Sequence, residues 1–147
     1  MILRGAVVQA VILLALAAVA AAVTYCFHPR APALYLSQVP LREDEINLAQ
    51  IQERWQGRVI WLDARPADVF AQSHIPGAHL LNEQNFNEQL LEIMDILQTA
   101  DKPVVIYCGG EKCEASRTIR QKLLELIVVE NCYVLQGGWP AWKAAQP

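Results

Sequence analysis

Three short apolar runs constrain the fold of this chain more than any other feature of its sequence. They are Val59–Leu62, Val104–Cys108 and Cys132–Leu135. None of them alternates polar with apolar residues, which is typical of strands buried on both faces of a parallel sheet. Two segments with apolar residues at helical spacing, 86–97 and 119–127, separate the runs. This alternation predicts an α/β domain whose central, mainly parallel sheet is flanked by helices.

The N-terminal segment has a different composition. From Gly5 to Phe27, 23 residues carry no full charge, and about 20 such residues span a bilayer as a helix. We therefore expect one N-terminal transmembrane helix within an anchor of residues 1–28. A cleaved signal peptide is the alternative, although Thr24–Phe27 would be a poor cleavage site.

The charges that flank this segment bear on location. Arg4 and the α-amine precede it, while His28 and Arg30 and then the acidic cluster 43–45 follow it. Because positive flanks tend to remain cytoplasmic, the pattern favours an extracytoplasmic, periplasmic domain on a single-pass anchor.

The remainder of the chain divides into a linker and one domain. Residues 29–41 are rich in proline and have no helical period, which predicts an extended linker before a domain at 42–147. Only two of the twelve basic residues precede residue 31, so ten basic residues accompany fifteen acidic ones. A net charge of −5 argues against nucleic acid as a partner. The acidic cluster 43–45 also suits the first turn of a helix that ends near Gly57.

The position of Cys108 in the sequence favours a reactive thiolate at this residue. Parallel sheets bind ligands beyond the carboxyl ends of their strands, and Cys108 ends such a strand. The turn-forming Gly109 and Gly110, and the helix that follows, direct N–H groups inward and favour a thiolate. The alternative is a buried, unreactive cysteine. The four cysteines include no CxxC pair and no ligand-spaced histidines, so we expect no metal and no cofactor.

Three motifs resemble the rhodanese-like domain family. They are "DARPADVFAQSHIPGAH" (63–79), "VVIYC" (104–108) and "VLQGGWPAW" (134–142), within a similarity that covers about residues 42–145. The resemblance implies an α/β fold and a sulfurtransferase of the thiosulfate or persulfide type. In that reading Cys108 is the nucleophile that carries sulfane sulfur as a persulfide. Its partner is a small sulfur donor or a protein persulfide or thiol.

The loop after Cys108 departs from the family pattern. Ser116, which matches the serine that opens the next helix, lies two positions later than usual, and Ala115 stands where an arginine is common. The acidic residues of the loop should make a small inorganic anion a poor substrate. The predicted substrate-binding loop comprises Gly109, Gly110, Glu111, Lys112, Glu114, Ala115, Ser116 and Arg117.

Cys113 has three interpretations: a loop residue without a role, a resolving cysteine, or a standing disulfide partner of Cys108. The second and third lead to a thiol–disulfide oxidoreductase or redox switch as an alternative function. A non-catalytic, membrane-tethered interaction module is a further alternative. Six residues are predicted to serve structure near the site: Asp63, Arg65, His74, Gly137, Gly138 and Trp139.

Overall fold

A computed structural model describes residues 2–27, 40–110 and 114–146, and in the first range it describes side chains only at residues 9, 11–21 and 23. The chain separates into two compact units, residues 1–39 and 40–147. The first unit contains helix α1, Ile2–Phe27. Of the predicted linker 29–41, residues 29–39 lie outside the described residues.

The prediction of an N-terminal transmembrane helix is wrong. Within the described part of the chain, no helix combines the length and the apolar character that crossing a bilayer requires.

The second unit confirms the predicted α/β architecture. Its elements, in chain order, are β1 Glu45–Ile46, α2 Leu48–Trp55, β2 Ile60–Asp63, α3 Ala67–Gln72, β3 His79–Leu80, α4 Phe86–Thr99, β4 Val104–Tyr107, α5 Glu114–Leu126, β5 Cys132–Leu135 and α6 Gly138–Ala144. The described strands form one sheet in the order β1-β5-β4-β2-β3. Every neighbouring pair in it is parallel.

Strand β4 is central, and all four of its residues are buried. Because side chains alternate along a strand, Val104 and Ile106 pack on one face, in the cluster that includes residues of α4 and α5. Val105 and Tyr107 pack on the other face, in the cluster that includes residues of α2 and several partly buried aromatic rings. Burial on both faces explains why β4 appears in the sequence as a continuous apolar run.

The acidic cluster 43–45 does not begin a helix, contrary to the sequence prediction. Glu45 and Ile46 form β1, an edge strand whose partner is β5. The helix begins later, because Asn47 provides a complete capping box: its side chain accepts from the Gln50 N–H at 2.9 Å, and the Gln50 side chain accepts from the Asn47 N–H at 3.2 Å.

Candidate functional site

Cys108 directly follows the central strand, at the carboxyl end of the sheet. The residue is only 6% exposed. Its carbonyl oxygen accepts a 2.7 Å hydrogen bond from the backbone N–H of Trp139. Its Sγ lies 3.3 Å from the carbonyl oxygen of Gly110, a distance at which the reduced thiol can donate to that oxygen. The structure therefore places Cys108 where the sequence predicted it.

The sulfur of Cys108 is disulfide-bonded in the structure. Cys132, at the start of β5, is a free and buried cysteine, and its burial raises the pKa of its thiol to about 12. Cys132 therefore has neither the exposure nor the ionisation of a nucleophile. Cys113, together with Glu111 and Lys112 of the predicted loop, lies outside the described residues.

Asp63 and Arg65 form a buried ion pair beside this site, at the end of β2. The Nε of Arg65 donates to both carboxylate oxygens of Asp63, at 2.9 and 3.0 Å, and its Nη2 donates to Oδ2 at 2.6 Å. The same Nη2 also donates to the carbonyl oxygen of Ser73 at 2.6 Å. Arg65 thus joins the end of β2 to the segment after α3.

Aromatic rings enclose this pair. The guanidinium carbon of Arg65 lies 4.4 Å from the ring centre of Trp139 and 5.4 Å from that of Tyr107. Burial opposes the charge of Arg65, but the hydrogen bonds to Asp63 outweigh this effect and raise the pKa of the Arg65 guanidinium. Burial, and after it the Asp63 carboxylate, raise the pKa of Tyr107 above its ordinary value. The Tyr107 hydroxyl accepts from the Ile75 N–H at 3.1 Å.

Gly138 allows the turn before α6 to lie against the Cys108 loop. Its φ is +53°, and a methyl group in its place would lie 2.4 Å from the carbonyl oxygen of Cys108 and 3.2 Å from that of Gly110. Gly137, with a φ of +73°, precedes it. The approach of two backbone segments explains this glycine pair, and it positions Trp139 to donate to Cys108.

Helix α5 already includes Glu114, two residues before the predicted start at Ser116. Glu114 and Ala115 are exposed, whereas Ser116 is fully buried. Within the described part of the chain, the Ser116 hydroxyl has no hydrogen-bond partner.

Arg117, in the first turn of α5, forms ion pairs with Glu45 of β1 and with Asp44, which precedes that strand. Its Nη2 pairs with Oε1 of Glu45, and its Nε lies 3.7 Å from Oδ2 of Asp44. Asp44 and Glu45 were not predicted as members of the site. The charge of the cluster was visible in the sequence, but the strand that presents it to Arg117 was not.

His74 lies apart from this chemistry. It is exposed, its ring stacks on Phe70 with 4.1 Å between ring centres, and its Nδ1 is 2.9 Å from the Phe70 carbonyl oxygen. These contacts place the ring against α3, and the structural role of His74 stays a prediction. Among the described residues, no group of histidine, cysteine and acidic side chains could hold a metal ion.

The family assignment rests on this fold together with a match over most of the chain. A model of the rhodanese-like domain matches residues 47–145. The chain belongs to the rhodanese-like domain family.

Named relatives differ in how much of their own length the similarity covers. Thiosulfate sulfurtransferase GlpE of Pseudoalteromonas translucida is 28% identical over 104 residues, which cover 68% of this chain and 89% of GlpE. The tRNA uridine(34) hydroxylase of Buchnera aphidicola is 38% identical over 58 residues, or 38% of this chain. The similarity spans only 19% of that hydroxylase and 30% of another relative, a Mycobacterium tuberculosis HTH-type transcriptional regulator that is 33% identical over 72 residues.

Solved structures show the same fold. The BH2092 protein of Bacillus halodurans superposes with a TM-score of 0.51 at 23% identity, over 67% of this chain and 70% of that protein. A rhodanese-related protein of Thermoplasma volcanium superposes with a TM-score of 0.50 at 21% identity, over 70% of this chain and 94% of its own. At these identities the likeness concerns the fold alone.

Proposed function

We propose that this rhodanese-like domain is a sulfurtransferase that carries sulfane sulfur as a persulfide on Cys108. The observation that carries the proposal is the position of Cys108, directly after the central strand and before the N-terminus of α5. The positive end of a helix favours a sulfur anion. The similarity to GlpE over most of both chains supports a role of this type.

The proposed reaction has two steps. The reduced Cys108 thiolate attacks the outer sulfur of a donor, a sulfur–sulfur bond forms on Cys108, and the donor leaves with the electron pair of the bond that breaks. A nucleophilic acceptor then takes the outer sulfur, and the Cys108 thiolate is regenerated. Since Cys108 is disulfide-bonded in the structure, a thiol reductant must act before the first step. The positive end of helix α5 favours the anion, while the Asp63–Arg65 pair keeps the strand ends in place.

The test is mass spectrometry of the protein after reduction and removal of the reductant. Thiosulfate and a low-molecular-weight persulfide are supplied in turn. Tryptic cleavage after Lys112 separates Cys108 from Cys113, so the peptide that gains one sulfur atom identifies the carrier. We expect the gain on the Cys108 peptide, its loss in Cys108→Ser, and its persistence in Cys132→Ala, the matched control. Sulfur gain that survives Cys108→Ser would disprove the proposal.

The disulfide at Cys108 favours a second candidate function, a dithiol switch, for which we propose Cys113 as the second cysteine. In this reaction the Cys113 thiolate attacks Sγ of persulfidated Cys108. A Cys108–Cys113 disulfide forms, and the outer sulfur leaves as hydrosulfide with the electron pair of the broken bond. The described free cysteine, Cys132, is not the partner.

Hydrosulfide release distinguishes the two functions. For the switch, the wild-type protein loaded with persulfide should release hydrosulfide, and peptides containing Cys108 and Cys113 should become linked. In Cys113→Ser the persulfide should persist on Cys108 until an acceptor is added. Equal release from the wild type and Cys113→Ser would exclude the switch and leave the sulfurtransferase proposal intact.

A further inference from the structure

Two arginines border the Cys108 loop, and both are already neutralised by carboxylates. Arg65 binds Asp63 through three hydrogen bonds, and its Cδ would lie 3.7 Å from a methyl group on Gly109. Arg117 stands in the first turn of the helix that follows the loop. In most anion sites such guanidinium groups would face the ligand. Here their partners are provided by the protein itself.

Among the described residues, Arg117 contacts two carboxylates with its one positive charge. One guanidinium is shared between the carboxylates of Glu45 and Asp44, and Glu114 adds a further carboxylate at the start of the same helix. Arg117 and its two partners are each no more than 26% exposed, so solvent screens their charges only in part. A donor with two negative charges would be repelled as it approaches this side of the loop.

We infer that Asp44 and Glu45 determine donor specificity by holding Arg117. With Arg117 bound to them, the site disfavours a dianionic sulfur donor such as thiosulfate and favours a thiol-borne persulfide with at most one net negative charge. This inference rests on the proposed function and assigns its substrate class. Asp44 and Glu45 are positioning residues, because they act through Arg117 and not on the reacting sulfur.

The favoured reaction is balanced as written. The Cys108 thiolate attacks the outer sulfur of a persulfide R–S–SH. The bond between Cys108 Sγ and that sulfur forms, the bond between the two donor sulfurs breaks, and R–S⁻ leaves with the electron pair. The products are persulfidated Cys108 and a thiolate. With thiosulfate the leaving group would be sulfite. Its two negative charges would be repelled by the carboxylates of Asp44 and Glu45.

The test compares two donors on one pair of variants. Rate constants for sulfur loading of reduced Cys108 are measured with thiosulfate and with cysteine persulfide, by quenching and mass spectrometry. In the Asp44→Asn/Glu45→Gln variant, we expect loading by thiosulfate to rise on the order of tenfold, equivalent to about 1.4 kcal/mol. Loading by cysteine persulfide should change less than about twofold. Glu43→Gln, which removes the neighbouring charge without touching the Arg117 pair, is the matched control and should leave both rates near those of the wild type.

A third variant shows whether the effect passes through Arg117. Adding Arg117→Gln to the double substitution should remove about half of the gain in thiosulfate loading or more, because the released guanidinium is lost while the two carboxylates stay neutral. The gain should also shrink as ionic strength rises. The inference is overturned if thiosulfate loading does not rise, if both donors gain equally, or if the full gain persists without Arg117.

Folding is checked separately, because Glu45 is only 10% exposed. Circular dichroism and thermal unfolding of each variant establish the fold. If the double variant does not fold, Asp44→Asn alone, at a more exposed position, should still produce a smaller rise, and no rise would count against the inference. Failure of both donors to load wild-type Cys108 would refute the proposed function, whereas loading by thiosulfate but not by cysteine persulfide would refute the specificity inference. Loading that is unaffected by these variants would refute the specificity inference alone.

Discussion

Arg65 and Arg117 make the same kind of bond in different surroundings. Arg65 and Asp63 are 5% and 0% exposed, and Arg65 also contacts a backbone carbonyl and two aromatic rings. Arg117 is 25% exposed and pairs with the side chains of Glu45 and Asp44. Removing one partner of a buried ion pair lowers the free energy of unfolding strongly, because the other charge stays buried without compensation. A partly exposed pair contributes little to that free energy. The first pair is suited to fixing the strand ends, and the second to setting the local charge.

The largest expected effect comes from breaking the buried pair. Arg65→Leu leaves the buried Asp63 carboxylate without its cationic partner, so the free energy of unfolding should fall by about 3–5 kcal/mol. Urea unfolding at pH 7 measures it. Arg58→Leu, a substitution at an exposed arginine, is the control and should have an effect within about 0.5 kcal/mol. A loss below about 1 kcal/mol for Arg65→Leu would mean that this pair is no more important than a surface one.

Gly138→Ala tests the close contact between Gly138 and the Cys108 carbonyl group. The new methyl group would meet the Cys108 carbonyl oxygen and would require a positive φ. We expect a loss of about 2–4 kcal/mol, from strain and overpacking together. Gly77→Ala is the matched control, because it has a similar φ of +78° and no atom within 4 Å of the added methyl group. Its loss should be about 1–2 kcal/mol. Equal losses of unfolding free energy for the two variants in chemical denaturation would mean that the contact with the Cys108 carbonyl oxygen contributes nothing beyond backbone strain.

Tyr107→Phe tests the hydrogen bond between the Ile75 N–H and the Tyr107 hydroxyl. The buried Ile75 N–H loses its acceptor, so stability at pH 7 should decrease by about 1–3 kcal/mol. The raised pKa of Tyr107 also predicts a pH dependence. Above the ordinary tyrosine pKa of 10.0, the unfolded chain releases this proton while the folded protein retains it, so stability falls by up to about 1.4 kcal/mol per pH unit. Denaturation curves between pH 7 and 11 should show a shallower decline for Tyr107→Phe than for the wild type; parallel declines would contradict the assignment.

Arg117→Gln should have the smallest effect on stability, below about 1 kcal/mol, because its pair is partly exposed. Moderate salt should reduce the difference further by screening the pair. Thermal unfolding at low and high ionic strength measures both quantities. A loss as large as that of Arg65→Leu would mean that both arginines serve the framework, and the contrast between them would not hold.

Much of the fold was predictable from the sequence. The runs at β2, β4 and β5 are continuous and apolar because both faces of a central parallel strand are buried, and this pattern is local. The position of Cys108 at a strand end follows from the same pattern. Strand β1 was not predictable, because it has two residues and its acidic neighbours resemble the first turn of a helix. The apolar N-terminal run likewise predicted a transmembrane helix that the described residues do not support.

The sequence by itself determined the parallel α/β core, the cysteine at the end of its central strand and the glycines that let the chain turn there, because each depends on neighbouring residues. Only the tertiary structure decided which charged residues pair with each other and how deeply each pair is buried. Arg117 and Glu45 are 72 positions apart, and they meet because β1 joins the sheet beside β5 while α5 packs over it. Burial likewise separates the two ion pairs, since solvent screening depends on the complete fold and not on the residues that carry the charge.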